Sequence, residues 1–93
     1  MAVVVVNEME GGSQDLYDQV NPKVMPDGLP DGCQAHIAGP VEGGWRVITV
    51  WESDERFQQF RDETLIPALR EAGGEDRIAP NISSHPVHNF IAG

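Results

Sequence analysis

Gly43-Gly-Trp-Arg-Val-Ile-Thr-Val-Trp-Glu-Ser53 is the stretch that decides the fold. From Trp45 to Glu52 the residues are β-branched or aromatic and predict a strand. Alternation puts Trp45, Val47, Thr49 and Trp51 on one face and Arg46, Ile48, Val50 and Glu52 on the other. Ser53 follows at once as a helix N-cap, with Asp54 and Glu55 placed to complement the positive end of the helix. On the other side, Glu42-Gly43-Gly44 is long enough only for a tight connection. The preceding apolar run, Cys33 to Ala38, stopped by Gly39-Pro40, is therefore the antiparallel partner of this strand.

Working outward, Ala2 to Glu8 is continuously β-branched and apolar, the pattern of a central strand covered on both faces. Gly11-Gly12 ends it, and Ser13 caps a helix with Asp15 in its first turn. Leu16, Tyr17, Val20 and Val24 recur at helical spacing, and Pro22 predicts a break or kink near Asn21. Pro26 to Gly32, PDGLPDG, is turn chemistry. After Ser53, Phe57, Phe60, Thr64, Leu65, Ala68 and Ala72 form the buried stripe of a second helix, which Pro67 should kink and Gly73-Gly74 should end. A last strand is expected over Asn81–Ile91. The order β-α-β-β-α-β predicts an α+β, ferredoxin-like βαββαβ domain spanning residues 1–93. Its four-stranded antiparallel sheet has the first and third strands at the centre and both helices on one face. The other sheet face keeps apolar side chains, and a second copy of the chain is the simplest cover, so a homodimer is expected.

Composition narrows the partners. Six basic residues against 15 acidic ones give a net charge of −9, which disfavours phosphate backbones and anionic lipid surfaces. No nucleic acid and no membrane partner is expected. Cys33 is the single cysteine, so no internal disulfide can form, and a buried small hydrophobe is its expected role. The run Ala2–Val6 is too short for a signal peptide or a spanning helix, and a cytoplasmic location is expected.

Trp51-Glu52-Ser53, followed by Phe57 and Phe60, resembles the dimeric α/β barrel superfamily, and within it the antibiotic-biosynthesis-monooxygenase-like proteins. The segments His36–Pro40 (HIAGP), Gly43–Ser53 and His85–Asn89 (HPVHN) also resemble a subgroup of small bacterial proteins. The resemblance runs along essentially the whole chain and implies the fold and the dimer. The functions it implies are diverse, since oxygenases, isomerases and haem-degrading enzymes share this scaffold. The cofactor-free oxygenases among them place an Asn four residues before the Trp and a Tyr six residues after it. Val47 and Phe57 hold those positions here.

The residues suited to chemistry are few. His36 and His88 are the candidate acid–base groups, because histidine titrates near neutrality. Trp51, Tyr17, Thr49, Phe57 and Asn89 are candidates for lining a cavity between sheet and helices, where an apolar or aromatic small molecule would bind. The bland reading makes both tryptophans core residues and the histidines satisfied edge groups. His85 and His88 lie three apart and would point to opposite faces of a strand, and His36 lies on the far edge, roughly 14 Å away. Neither a metal site nor a cofactor is expected within one subunit. Three readings stay open: a cofactor-free enzyme acting like a monooxygenase or isomerase, a non-catalytic binding or accessory protein, and a haem or metal binder at the dimer edge.

Overall fold

The structure, a computed structural model, describes residues 1–71 and 79–91. Its elements are β1 (Val3–Glu10), α1 (Gln14–Val24), β2 (Cys33–Val41), β3 (Gly44–Trp51), α2 (Asp54–Phe60), a five-residue π-helical segment (Arg61–Leu65), α3 (Ile66–Glu71) and β4 (Ala79–Pro86). The sheet order is β2-β3-β1-β4 with every neighbouring pair antiparallel, the ferredoxin-like arrangement with β1 and β3 at the centre.

Both helix starts follow from their caps. Ser13 Oγ accepts from the Leu16 N–H at 3.2 Å, and Ser53 Oγ accepts from the Arg56 N–H at 3.3 Å. Each satisfies one of the donors that a helix start leaves without an internal partner. The two apolar stripes then close over one face of the sheet. One core cluster joins Leu16, Val20 and Val24 of α1 to Met9, Trp45, Ala68 and Leu69. The other joins Val3, Val5, Cys33, Trp51 and Phe57, and Phe60 packs against both.

Three expectations need correction, and the one for Pro67 gains a specific form. The first helix does not break at Asn21; α1 runs through Pro22 to Val24. Only one donor is lost so near the helix end, and the Met25 N–H still reaches the Asn21 carbonyl at 2.9 Å. The second helix is interrupted ahead of Pro67 by a wider, π-helical turn. Pro67 has no N–H, its ring crowds the carbonyl four residues back, and the Ile66 N–H bonds to Arg61, five residues back. β2 is not stopped by Gly39-Pro40 and continues to Val41, because proline is tolerated on an edge strand whose alternate N–H groups face no partner. β4 ends at Pro86, opposite Val3 where β1 begins, and not at Ile91. Ala72 and Gly73-Gly74 lie outside the described residues.

The face turned away from the helices carries Val4 and Val6 of β1, Ile48 and Val50 of β3, and Ala35 and Ile37 of β2 in adjacent registers. Ile37 is 64% exposed. A two-residue turn, Glu42-Gly43, joins β2 to β3, with Gly43 at φ 79°. At the start of β3, a side chain on Gly44 would collide with the Met9 carbonyl oxygen. Backbone that close cannot step aside without shifting the β1–β3 ladder. Gly44→Ala should therefore lower stability by about 1–3 kcal/mol, the range for overpacking. Urea unfolding of the variant and the parent checks this, and equal midpoints would contradict the close approach.

Candidate functional site

The helix-facing side of the sheet is apolar at its ends and polar in its middle. Register places Val3, Val5, Asn7 and Met9 of β1 opposite Trp51, Thr49, Val47 and Trp45 of β3, and His36 of β2 opposite Thr49. A β-bulge between Cys33 and Ala35 shifts the register, so that His36 turns inward beside Thr49 while Ala35 turns outward. Above this face, Leu16, Tyr17, Val20 and Asn21 of α1 meet Phe57, Phe60, Leu65 and Leu69 from the second helical run. Between floor and roof lies a cavity of about 70 Å³, measured as room for water-sized occupants, with a mostly apolar lining. The π-helical segment belongs to this roof through Leu65.

Tyr17, His36, Thr49 and Phe57 are brought together at the cavity. Trp51 is not among its lining residues. It is 0% exposed, its ring packs on Phe57 and Phe60, and its indole N–H donates to Thr49 Oγ1 at 2.8 Å. That bond orients the Thr49 hydroxyl from behind. His88 and Asn89 are exposed, beyond the end of β4 and away from the cavity. His85 is exposed too and pairs opposite Val4, on the outer face of the sheet.

Asn7 and Asn21 line the cavity although the sequence reading does not single them out, and Trp45, read there chiefly as core, lines it too. Asn7 carried a usable signal, because it breaks a run of four valines at a position that period two puts on the helix face. Among the described residues, four buried side-chain polar atoms lack a hydrogen-bond partner: Asn7 Oδ1, Asn21 Oδ1, His36 Nδ1 and Trp45 Nε1. All four belong to residues lining this cavity. Asn7 is 6% exposed and Trp45 9%. A buried polar atom left unpaired costs about 1–3 kcal/mol, so each of these four calls for a partner from within the cavity, water or a ligand.

His36 is the titratable group best placed for chemistry. Its Nε2 lies 2.6 Å from the Tyr17 hydroxyl, and the Tyr17 ring also packs against Trp45, with centroids 5.4 Å apart. Burial pushes the His36 pKa down, which keeps the imidazole neutral at pH 7. Burial, with a smaller contribution from Asp18, pushes the Tyr17 phenol up. Burial likewise raises the Cys33 thiol, which points to a packing role. No three His, Cys, Asp or Glu side chains cluster as a metal-binding group among the described residues, and no helix there is long and apolar enough to cross a membrane. The His36 shift has a pH consequence. The unfolded chain binds a proton near pH 6.5 while the folded chain resists it, so stability falls as pH drops through that value toward the lower folded pKa. His36→Gln should flatten that part of the stability profile, measured by thermal unfolding between neutral and mildly acidic pH. An unchanged slope would contradict the burial of the ring.

No protein-family model and no curated protein matches the sequence. Solved structures do match. SnoaB from Streptomyces nogalater, a cofactor-independent oxygenase solved as a point mutant, aligns with TM-score 0.69 and 10% identity over 99% of this chain and 98% of its own. A candidate antibiotic biosynthesis monooxygenase from Chloroflexus aurantiacus J-10-fl gives 0.59 and 16%, covering 98% of this chain and 99% of its own. A second candidate, from Deinococcus radiodurans, gives 0.56 and 13%, covering 99% and 97%. The structural neighbours of this chain, over nearly its whole length, are antibiotic biosynthesis monooxygenase-like proteins, and it has their ferredoxin-like fold.

Proposed function

We propose that this protein works as a homodimer that binds an apolar, aromatic small molecule in the cavity between sheet and helices and removes a proton from it. The observation that carries this reading is the convergence of four unpaired buried polar atoms on one apolar cavity. Apolar walls favour a ring system, and the few polar atoms ask for complementary groups at its rim. A ligand with a hydroxyl or carbonyl substituent meets both demands. Proton removal is the step shared by cofactor-independent oxygenation, the activity stated for SnoaB, and by isomerisation. His36, neutral and beside the cavity, supplies the base. The residues standing where the related oxygenases have Asn and Tyr are Val47 and Phe57, yet an amide is still available. Asn7 pairs directly with Val47 on the same face.

The homodimer is supported by the outer sheet face, where Val4, Val6, Ile48 and the 64%-exposed Ile37 form a continuous apolar surface. Burying such a face is worth about 25 cal/mol per Å² of apolar area. Light scattering at micromolar concentration should give twice the 10.2 kDa chain mass, and Ile37→Glu should shift the population toward monomer. A folded monomer in the parent would end this part of the reading.

Ligand binding is tested with two probes of the same shape, 2-naphthol and naphthalene. Binding of 2-naphthol should be roughly fivefold tighter, because one added hydrogen bond to a buried partner is worth about 1 kcal/mol. Asn7→Leu should remove most of that preference while leaving naphthalene affinity within a factor of about three. Equal affinities in the parent, or no binding of either probe, would rule out the polar-rimmed pocket.

A further inference from the structure

Tyr17 and His36 are in contact at the cavity wall. Tyr17 stands on α1 and His36 on β2, and their 2.6 Å bond is a side-chain link between helix and edge strand. One imidazole nitrogen, Nε2, is engaged by the phenol, while the other, Nδ1, is buried and unpartnered in a ring that lines the cavity. The Tyr17 side is only half-buried.

The tautomer follows from what burial tolerates. An orphaned buried N–H is rarer in proteins than an under-satisfied acceptor. The favoured arrangement therefore puts the proton on Nε2, donating to Tyr17 Oη, and leaves a lone pair on Nδ1. The Tyr17 hydroxyl hydrogen is then free to point to water. We propose that His36 and Tyr17 form a proton relay that carries an acidic hydrogen from a ligand in the cavity to solvent. The ligand proton goes to Nδ1, the Nε2 proton passes to Tyr17 Oη, and the original hydroxyl proton leaves to water. The ligand keeps the electron pair and becomes an anion, the imidazole ends neutral in its other tautomer, and the phenol is regenerated. His36 thus acts as base and stays neutral itself, as the desolvation of its ring favours, while the negative charge remains on the ligand, where the new Nδ1–H can donate to it. The proposal rests on the cavity reading above and adds the direction and route of the proton.

The test uses 4-nitrophenol, whose absorption distinguishes the phenol from the phenolate, at mildly acidic pH where the free probe is protonated. On binding to the parent protein, the phenolate band should appear, and one proton should be released per probe, read from the dependence of binding heat on buffer ionisation. The His36 ring, followed by ¹⁵N resonance, should switch from the Nε2–H to the Nδ1–H form. Tyr17→Phe keeps the ring against Trp45 and removes only the hydroxyl. Its proton release and tautomer switch should be lost. Binding by the parent without a tautomer switch overturns the relay and leaves the pocket intact, as does an unaltered switch in the Phe variant. Failure of the parent to bind the probe overturns relay and pocket together.

Discussion

Eight paired positions run between β1 and β3, from Val3 opposite Trp51 to Glu10 opposite Gly44. This register decides the character of both sheet faces. Held as it is, Val5, Asn7 and Met9 stand beside Thr49, Val47 and Trp45 under the helices, while Val4, Val6, Ile48 and Val50 face the other way. A slip of one residue would exchange the two sets and turn the amide of Asn7 out to water. Two local features pin the register. Gly44 lets the Met9 carbonyl approach where no side chain fits, and the Gly11 N–H bonds to the Gly43 carbonyl at 2.9 Å just beyond the ladder. The cavity, its polar rim and the apolar outer face all depend on this one alignment.

The roof depends on a second irregularity. Pro67 would break a regular helix, and the chain accommodates it by widening the turn before it into the π-helical segment Arg61–Leu65. The added residue changes the angular position of everything downstream, so Phe57 and Phe60 before the segment and Leu65 and Leu69 after it all reach the same cavity. An uninterrupted helix of 3.6 residues per turn would rotate Leu69 away from the side that Phe57 and Phe60 share. The helical pair is further tied by Lys23 and Glu71, 3.0 Å apart on the surface, a contact of small energetic value in water. Packing, not charge, holds the roof in place.

Much of this architecture is legible in the order of residues alone. Two serines each followed by acidic residues mark both helix starts, and the Glu42-Gly43-Gly44 connection marks the hairpin; these features reduce to local chemistry. The proline effects are less legible, because whether Pro22 breaks a helix depends on how near the end it falls, and whether Pro67 kinks one depends on room for a wider turn. The site divides along the same line. Tyr17, His36, Thr49 and Phe57 stand at the cavity, and Phe57 belongs to the helical stripe that the residue spacing shows. His88 and Asn89 were expected on a strand that in fact stops at Pro86, since strand length depends on where the partner begins. Trp51 shows a different limit. Period two identifies its face, but only the three-dimensional packing reveals that Phe57 and Phe60 enclose it and that Thr49, not a ligand, takes its N–H.

The two tryptophans of β3 share a strand, a face and a residue type, yet have opposite surroundings. Trp51 has its polar atom satisfied and no exposure, so it adds stability and positions Thr49. Trp45 has an unpaired Nε1 and touches Tyr17, so its polar atom remains available at the cavity. A domain of this size has few kcal/mol to spare, and each unpaired atom near Asn7, Asn21, His36 and Trp45 draws on that margin. Asn7, His36 and Trp45 on the sheet and Asn21 on α1 bring these atoms to one cavity, whereas Val3, Val5, Cys33, Trp51 and Phe57 form a cluster with no unpaired side-chain polar atom. Such local departures from the rule that buried polar groups are paired are where function is to be sought in a small domain.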